Sequence, residues 1–176
     1  MEKPTKILAD EHQHILKIVN ALSKECEVLE SGGDINKKFF EKAIDFIRNY
    51  ADKFHHAKEE KILFMELCAG ASSMSCNPTE QMLYEHDQGR DFVKNMKIAL
   101  KENNKEKLIE NARAYANLLQ EHIDKEDNIL YPMADDAIDI KRQKAMLIEF
   151  KKAEKKRFVK GTKEKYIRLA RELENE

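Results

Sequence analysis

Two short stretches of this chain place an imidazole and a carboxylate four residues apart: His55 with Glu59, and His122 with Glu126. On a helix, that spacing puts both groups on one face, one turn apart. Two further histidines follow a glutamate, in Glu11-His12 and Glu85-His86. Four imidazoles and two carboxylates gathered in an apolar interior would be costly, because buried charges must be paired or coordinated. A metal ion meets that requirement. The mixed nitrogen and oxygen donor set suits iron, and equally zinc or manganese. Cys26, Cys68 and Cys76 share no metal-like spacing, which disfavours an iron–sulfur cluster or a thiolate zinc site.

The elements that must carry these residues read as long amphipathic helices. Of 176 residues, 37% are charged and 41% hydrophobic, with five Gly and three Pro. Breaks in the pattern predict five helical stretches. The first runs from Pro4-Thr5 to Ser31 and the second from about Ile35 to Cys68. The third opens at Pro78 and ends near Glu102, and the fourth runs from about Lys105 to Ala134. The fifth, Ile138 to Glu174, is interrupted at Gly161. Short connections predict an all-α fold: an up-down-up-down antiparallel four-helix bundle with an extra C-terminal helical segment. The expected division is a bundle over residues 1–136 and an extension over 137–176. The extension's Phe150, Phe158, Tyr166, Ile167 and Leu169 would pack on the bundle or on a partner subunit, as in a homodimer.

Each of these four histidines falls on an apolar seam. In the fourth stretch Leu108, Ala112, Tyr115, Leu119, His122, Glu126, Ile129 and Met133 recur in steps of four and three. In the third the seam is Met82, His86, Gly89, Val93, Met96 and Leu100; in the second it is Ala51, His55, Glu59 and Ile62. In the first, His12 leads into Ile15, Val19, Leu22 and Cys26. At 1.5 Å of rise per residue, His12 and His86 lie roughly 10 Å inside their helix starts, and the other two pairs roughly 16 Å from their helix ends. With alternating directions the six side chains share one layer near one end of the bundle. Residues 54–64 also align with residues 121–131, matching His55 to His122 and Glu59 to Glu126. The repeat supplies two equivalent half-sites, hence two metals, with the two glutamates placed to bridge them.

The segments His55–Phe64, Glu85–Arg90 and His122–Pro132 together resemble the hemerythrin-like HHE cation-binding domain, over roughly residues 5–135. The resemblance implies an oxo- or hydroxo-bridged pair of iron ions that binds dioxygen or related small molecules. Carried over by position, His12 and His55 serve one iron and His86 and His122 the other, with Glu59 and Glu126 bridging. The oxygen carriers of that family place a further histidine four residues after the one on the third helix, where this chain has Arg90. That difference argues for a more open site, suited to sensing, nitric oxide binding or reaction. The carriers' last bridging carboxylate matches Asp127, but the seam favours Glu126. His14 lies beside the first seam, and either it or His56 could fill the position left at Arg90. His56 shares a face with Asp52, Lys53 and Glu60 that reads as solvated. Glu60 reads as a surface group or a support to the ligands. Arg90 would pair with a bridging carboxylate, with Glu11 or with Glu85, and Tyr115 reads as core.

Net charge is −1, with no basic stripe for nucleic acid and no apolar run of membrane-spanning length. Residues Met1 to Asp10 lack a signal-peptide core, and an odd cysteine count suits a reducing, cytoplasmic compartment. The functional expectation is a non-haem di-iron protein that binds or senses a small molecule such as dioxygen or nitric oxide. The competing expectations are a di-iron enzyme (peroxide or nitric oxide turnover, or iron donation for cluster repair) and a partner-binding bundle whose metal is incidental.

Overall fold

The computed structural model describes residues 2–70 and 78–176. The small, polar stretch 69–77 predicts a surface loop carrying Met74 and Cys76, and both of those residues lie outside the described ones. Among the described residues the protein is all-helical. Helix α1 spans Pro4–Glu30, α2 Lys37–Phe46, α3 Phe64–Gly70, α4 Pro78–Glu102, α5 Lys105–Lys125, α6 Tyr131–Ala137, α7 Ile140–Arg157 and α8 Thr162–Glu174. Between α2 and α3, and between α5 and α6, the chain does not leave the helix. It widens to π winding over Ile47–His56, Glu59–Leu63 and Glu126–Leu130.

Local chemistry sets the boundaries. Pro4 opens α1 with the fixed φ that a first turn accepts. Asn36, Asn104 and Asp139 cap α2, α5 and α7, each side chain accepting from the backbone N–H three residues on. Gly161, at φ 87°, reverses the chain ahead of α8 in a conformation that side chains with a Cβ resist. Gly33 allows a different kind of turn: a Cβ there would lie 2.7 Å from the Val28 side chain and 2.8 Å from its carbonyl oxygen.

The interior consists of two apolar clusters with a polar layer between them. The larger holds Ile15, Ile18, Phe40, Tyr50, Met96, Ala112 and Tyr115, among others; the smaller holds Leu8, Leu63, Phe64, Met82, Leu130 and Tyr131. Along α1 and α4 the chain passes from the smaller cluster through His12 or His86 to the larger. Along Lys37–Gly70 and Lys105–Ala137 the order is reversed. The polar layer is therefore enclosed by apolar packing on both sides rather than lying at an end.

The π turns correct the expected seam. A plain α-helix would carry the buried stripe from Glu126 to Ile129 and Met133. Instead Ile129 is 56% exposed, and Leu130, Tyr131 and Ala134 are buried. An i→i+5 turn takes more residues than the 3.6 of an α turn, so the inward face moves one position later. The same widening acts before His56, with a larger consequence described below.

The C-terminal helices lie on the rest of the chain. Met146 and Phe150 of α7 join the smaller cluster, and Tyr166, Ala170 and Leu173 of α8 join the larger. Phe158 stacks on Phe54 with ring centroids 4.4 Å apart, and Tyr166 Oη donates to Asp45 Oδ2 at 3.1 Å. Phe158, Ile167 and Leu169 pack, partly buried, against the larger cluster.

Candidate metal centre

All six residues read from the sequence meet in the polar layer, and each is buried. His12, His55, Glu59 and Glu126 form one group, with ligand atoms within 4.8 Å of one another; His56, His86 and His122 form a second. The two glutamates lie between the groups. Glu59 turns Oε1 to His55 Nε2 at 3.3 Å and to His12 Nε2 at 4.0 Å, and Oε2 to His86 Nε2 at 3.6 Å. Glu126 Oε2 lies 3.3 Å from both His12 Nε2 and His122 Nε2.

Every one of the four expected histidines has its Nδ1 against a carboxylate. His12 pairs with Asp127 at 2.8 Å, His55 with Glu11 at 3.0 Å, His86 with Glu60 at 2.9 Å and His122 with Glu85 at 2.7 Å. An ionised carboxylate only accepts, so each Nδ1 carries the proton and donates it. The Nε2 atoms are then left to face one another across the layer, with His86 Nε2 and His122 Nε2 only 3.0 Å apart. Two facing lone pairs at that distance need a proton or a cation between them. A carboxylate behind each imidazole is also the usual way to orient a metal-ligating ring and raise its basicity.

These supports follow the internal repeat. Glu11 and Glu85, each preceding a histidine, hold the histidine of the neighbouring His/Glu pair. Glu60 and Asp127, each following a bridging glutamate, hold the histidines of α4 and α1. Lys58 and Lys125, aligned in the repeat, complete the pattern by bonding Glu11 and Glu85 respectively. Asp127 thus sits behind His12 rather than taking the bridging position. Lys58 is 1% exposed and its Nζ lies 3.8 Å from the Phe54 ring centroid.

The charges behave accordingly. Burial disfavours ionised Glu11, but the His55 hydrogen bond and the Lys58 charge outweigh it and lower its pKa to about 2. Glu85 is likewise lowered to about 2, against burial, by His122 and Lys125. Burial also opposes charge on His12 and His122, yet the surrounding carboxylates raise them to about 9 and about 10. Without metal, protons hold the places that a cation would take.

His56 is the principal correction. Its face read as solvated, but it is 6% exposed and stacks on His86 with ring centroids 3.8 Å apart and planes 12° apart. The π winding through Ile47–His56 brings both His55 and His56 inward, which 100° steps would not do. Burial and the neighbouring imidazoles His86, His55 and His122 push its pKa well down, so it is a neutral ring with a free lone pair. His14 belongs to neither group; it packs edge-on to Tyr50 at 6.2 Å. Tyr115 is a core residue, buried in the larger cluster.

Arg90 takes none of the partners expected for it. It donates through Nε to Asp52 at 2.8 Å, through Nη1 to Asp87 at 2.8 Å, and through Nη2 to Glu60. Through Glu60 it braces His86. Two residues escaped the sequence reading: Lys58, and Tyr131, whose hydroxyl donates to Glu59 Oε1 and lies 3.3 Å from His12 Nε2. Burial and the charges of Glu126 and Glu59 raise the Tyr131 pKa well above its ordinary value, so the phenol stays protonated and able to donate.

The donor set fits a metal. Glu59 Oε2, both oxygens of Glu126, His55 Nε2 and His56 Nδ1 are buried without a hydrogen-bond partner. Unpartnered buried polar atoms are uncommon, and those of Glu59, Glu126 and His55 belong to one layer, whereas His56 Nδ1 lies 3.8 Å from Asp52 Oδ1. An all-helical protein with an enclosed cluster of imidazoles bridged by carboxylates is a metal-binding protein in outline. The chain matches the model of the hemerythrin HHE cation-binding domain over residues 3–134 and belongs to that family. Neither a curated protein nor a solved structure matches it. No described helix is long and apolar enough to cross a membrane.

Proposed function

We propose that the chain is a non-haem di-iron protein that binds or senses a small molecule, of the class of dioxygen or nitric oxide, at a centre held by His12, His55, Glu59, His56, His86, His122 and Glu126. The observation that carries this reading is the pair of donor groups with Glu59 and Glu126 between them, four of the five imidazoles each backed by its own carboxylate. His12 and His55 would hold one ion, and His56, His86 and His122 the other. The opposite order of the two apolar clusters along successive helices supports an up-down-up-down antiparallel bundle as the frame. Iron bound there would supply an electron-rich centre able to bind a diatomic molecule.

The chain's own residues have clear tasks around it. The four carboxylates at Nδ1 keep each Nε2 pointed inward. Tyr131 keeps Glu59 in place and holds a proton 3.3 Å from His12 Nε2. The two apolar clusters keep bulk water from the layer on both sides. The test is metal content of natively purified protein together with its absorption spectrum under nitrogen and in air. About two irons per chain, with a near-ultraviolet band that changes with oxygen or nitric oxide, is expected for two bridged half-sites. A single zinc with no spectral response would overturn the di-iron reading while leaving the ligand layer intact.

A further inference from the structure

A cavity of about 290 Å³ opens against the imidazole side of the layer. At its inner end stand His56, His86 and His122, the all-imidazole half-site; its lining also includes Ile47, Val93 and Leu119. Gly89 makes the room: a Cβ there would already touch Leu119 and Tyr115 at 3.6 Å. A cavity of about 150 Å³ takes a benzene molecule, so this one holds about twice that and far exceeds the need of a diatomic ligand.

Its charges are unequal in depth. Arg90, near the histidines, is neutralised by Asp52, Glu60 and Asp87. Arg48, Lys94 and Lys97 also line the cavity, are exposed, and have no carboxylate within ion-pair distance among the described residues. On α4, Lys94 and Lys97 lie roughly 12 and 16 Å from His86 at helical rise. The apolar wall lies between the metal layer and this cationic rim.

From this we infer that the cavity binds a medium-chain organic monocarboxylate, its carboxylate at Arg48, Lys94 and Lys97 and its apolar chain directed toward His56, His86 and His122. The inference deepens the proposed function by naming a ligand class for the same centre. It rests on that reading for what the inner end faces, but the binding itself does not require iron. Charge complementarity selects the head, and the cavity volume sets a tail of about eight carbons.

The test is titration calorimetry of the full-length protein with octanoate and with octanol, alongside metal analysis of the same samples. Octanoate is expected to bind one per chain. The double variant Arg48→Gln/Lys94→Gln should weaken octanoate about tenfold and leave octanol unchanged, as loss of partly screened charge contacts predicts. Gly89→Leu fills the cavity and should weaken both ligands at least tenfold. Absence of octanoate binding at millimolar concentration, or equal affinity in the wild type and the double variant, overturns the inference. If metal is present and octanoate does not bind, only the inference fails. If octanoate binds with the expected variant pattern and iron is absent, it is the di-iron reading that fails.

Discussion

Replacing Glu11 by Gln removes one charge from a buried chain of contacts that runs from His55 through Glu11 to Lys58 and on to Glu154 of α7. The variant keeps the shape and an acceptor oxygen, so little packing is lost. What goes is the ion pair: the Lys58 ammonium keeps the Phe54 ring and the 3.4 Å contact to Glu154, but its nearest carboxylate charge is lost. The lowering of the Glu11 pKa from 4.5 to about 2 corresponds to about 3 kcal/mol of native-state stabilisation at neutral pH. Breaking a buried ion pair commonly costs a similar 3–5 kcal/mol, roughly. The sign follows from a depressed carboxylate: the contribution is present above pH 4.5 and is lost as pH falls through about 2. Denaturant unfolding of the metal-free protein at about pH 7 should therefore show Glu11→Gln less stable by about 3 kcal/mol. The deficit should shrink progressively at about pH 4 and below. Metal affinity, measured by chelator competition, should also fall about 10- to 100-fold, because the one amide oxygen cannot serve both Lys58 and His55 as the two carboxylate oxygens do, and the support behind His55 weakens. A loss below about 1 kcal/mol, or one that does not change with pH, would refute the reasoning.

Three further outcomes follow from the same geometry. His56→Ala should lower metal content from about two ions to about one per chain while His14→Ala changes nothing, read by elemental analysis. His12 and His122, raised from 6.5 to about 9 and about 10, stabilise the metal-free fold fully below pH 6.5 and lose that contribution as pH rises through those values. Metal displaces the same protons, so the rise in melting temperature on metal loading should grow across that window. Tyr131→Phe should fold normally but bind metal about tenfold more weakly, since Glu59 Oε1 loses its donor; unchanged affinity in a chelator titration would remove Tyr131 from the centre.

How far the residues foretold the site depends on helix winding. The four histidines and two glutamates were legible because i,i+4 spacing survives any helix, and because residues 54–64 and 121–131 repeat. The supporting carboxylates were half-legible: Glu11 and Glu85 were visible as repeated Glu-His pairs, but their partners lie on other helices, and only packing assigns them. His56, Ile129 and Met133 were misplaced for one reason. A stripe drawn at 3.6 residues per turn loses phase wherever the helix widens, and here it widens at the ligands themselves. Lys58 carried no assignment from the sequence because its burial depends on Phe150 and Glu154, which sequence distance hides, as well as on Phe54. The match of Lys58 to Lys125 in the repeat was the available signal.

The repeat also shows where the two half-sites must differ. Support groups match across it: Glu11 with Glu85, Lys58 with Lys125, Glu60 with Asp127. Two positions facing the ligand layer do not: His56 stands opposite Ile123, and Phe64 opposite Tyr131. The first exchange adds an imidazole to the half-site of His86 and His122. The second puts a proton donor beside the half-site of His12 and His55 and an apolar ring, 5.9 Å from His86, beside the other. Lys58 is enclosed by α7 and by Lys163 at the start of α8, which also reaches Glu11 at 3.5 Å, whereas Lys125 is more exposed. One half-site is therefore rich in nitrogen and open to a cavity. The other is carboxylate-rich, backed by a phenol and braced by the C-terminal helices. Two ions held in such unequal surroundings would differ in potential and in access. On the proposed function, an exogenous ligand entering through the cavity would meet the imidazole side first, and a change in the position of the C-terminal helices would act first on the carboxylate side.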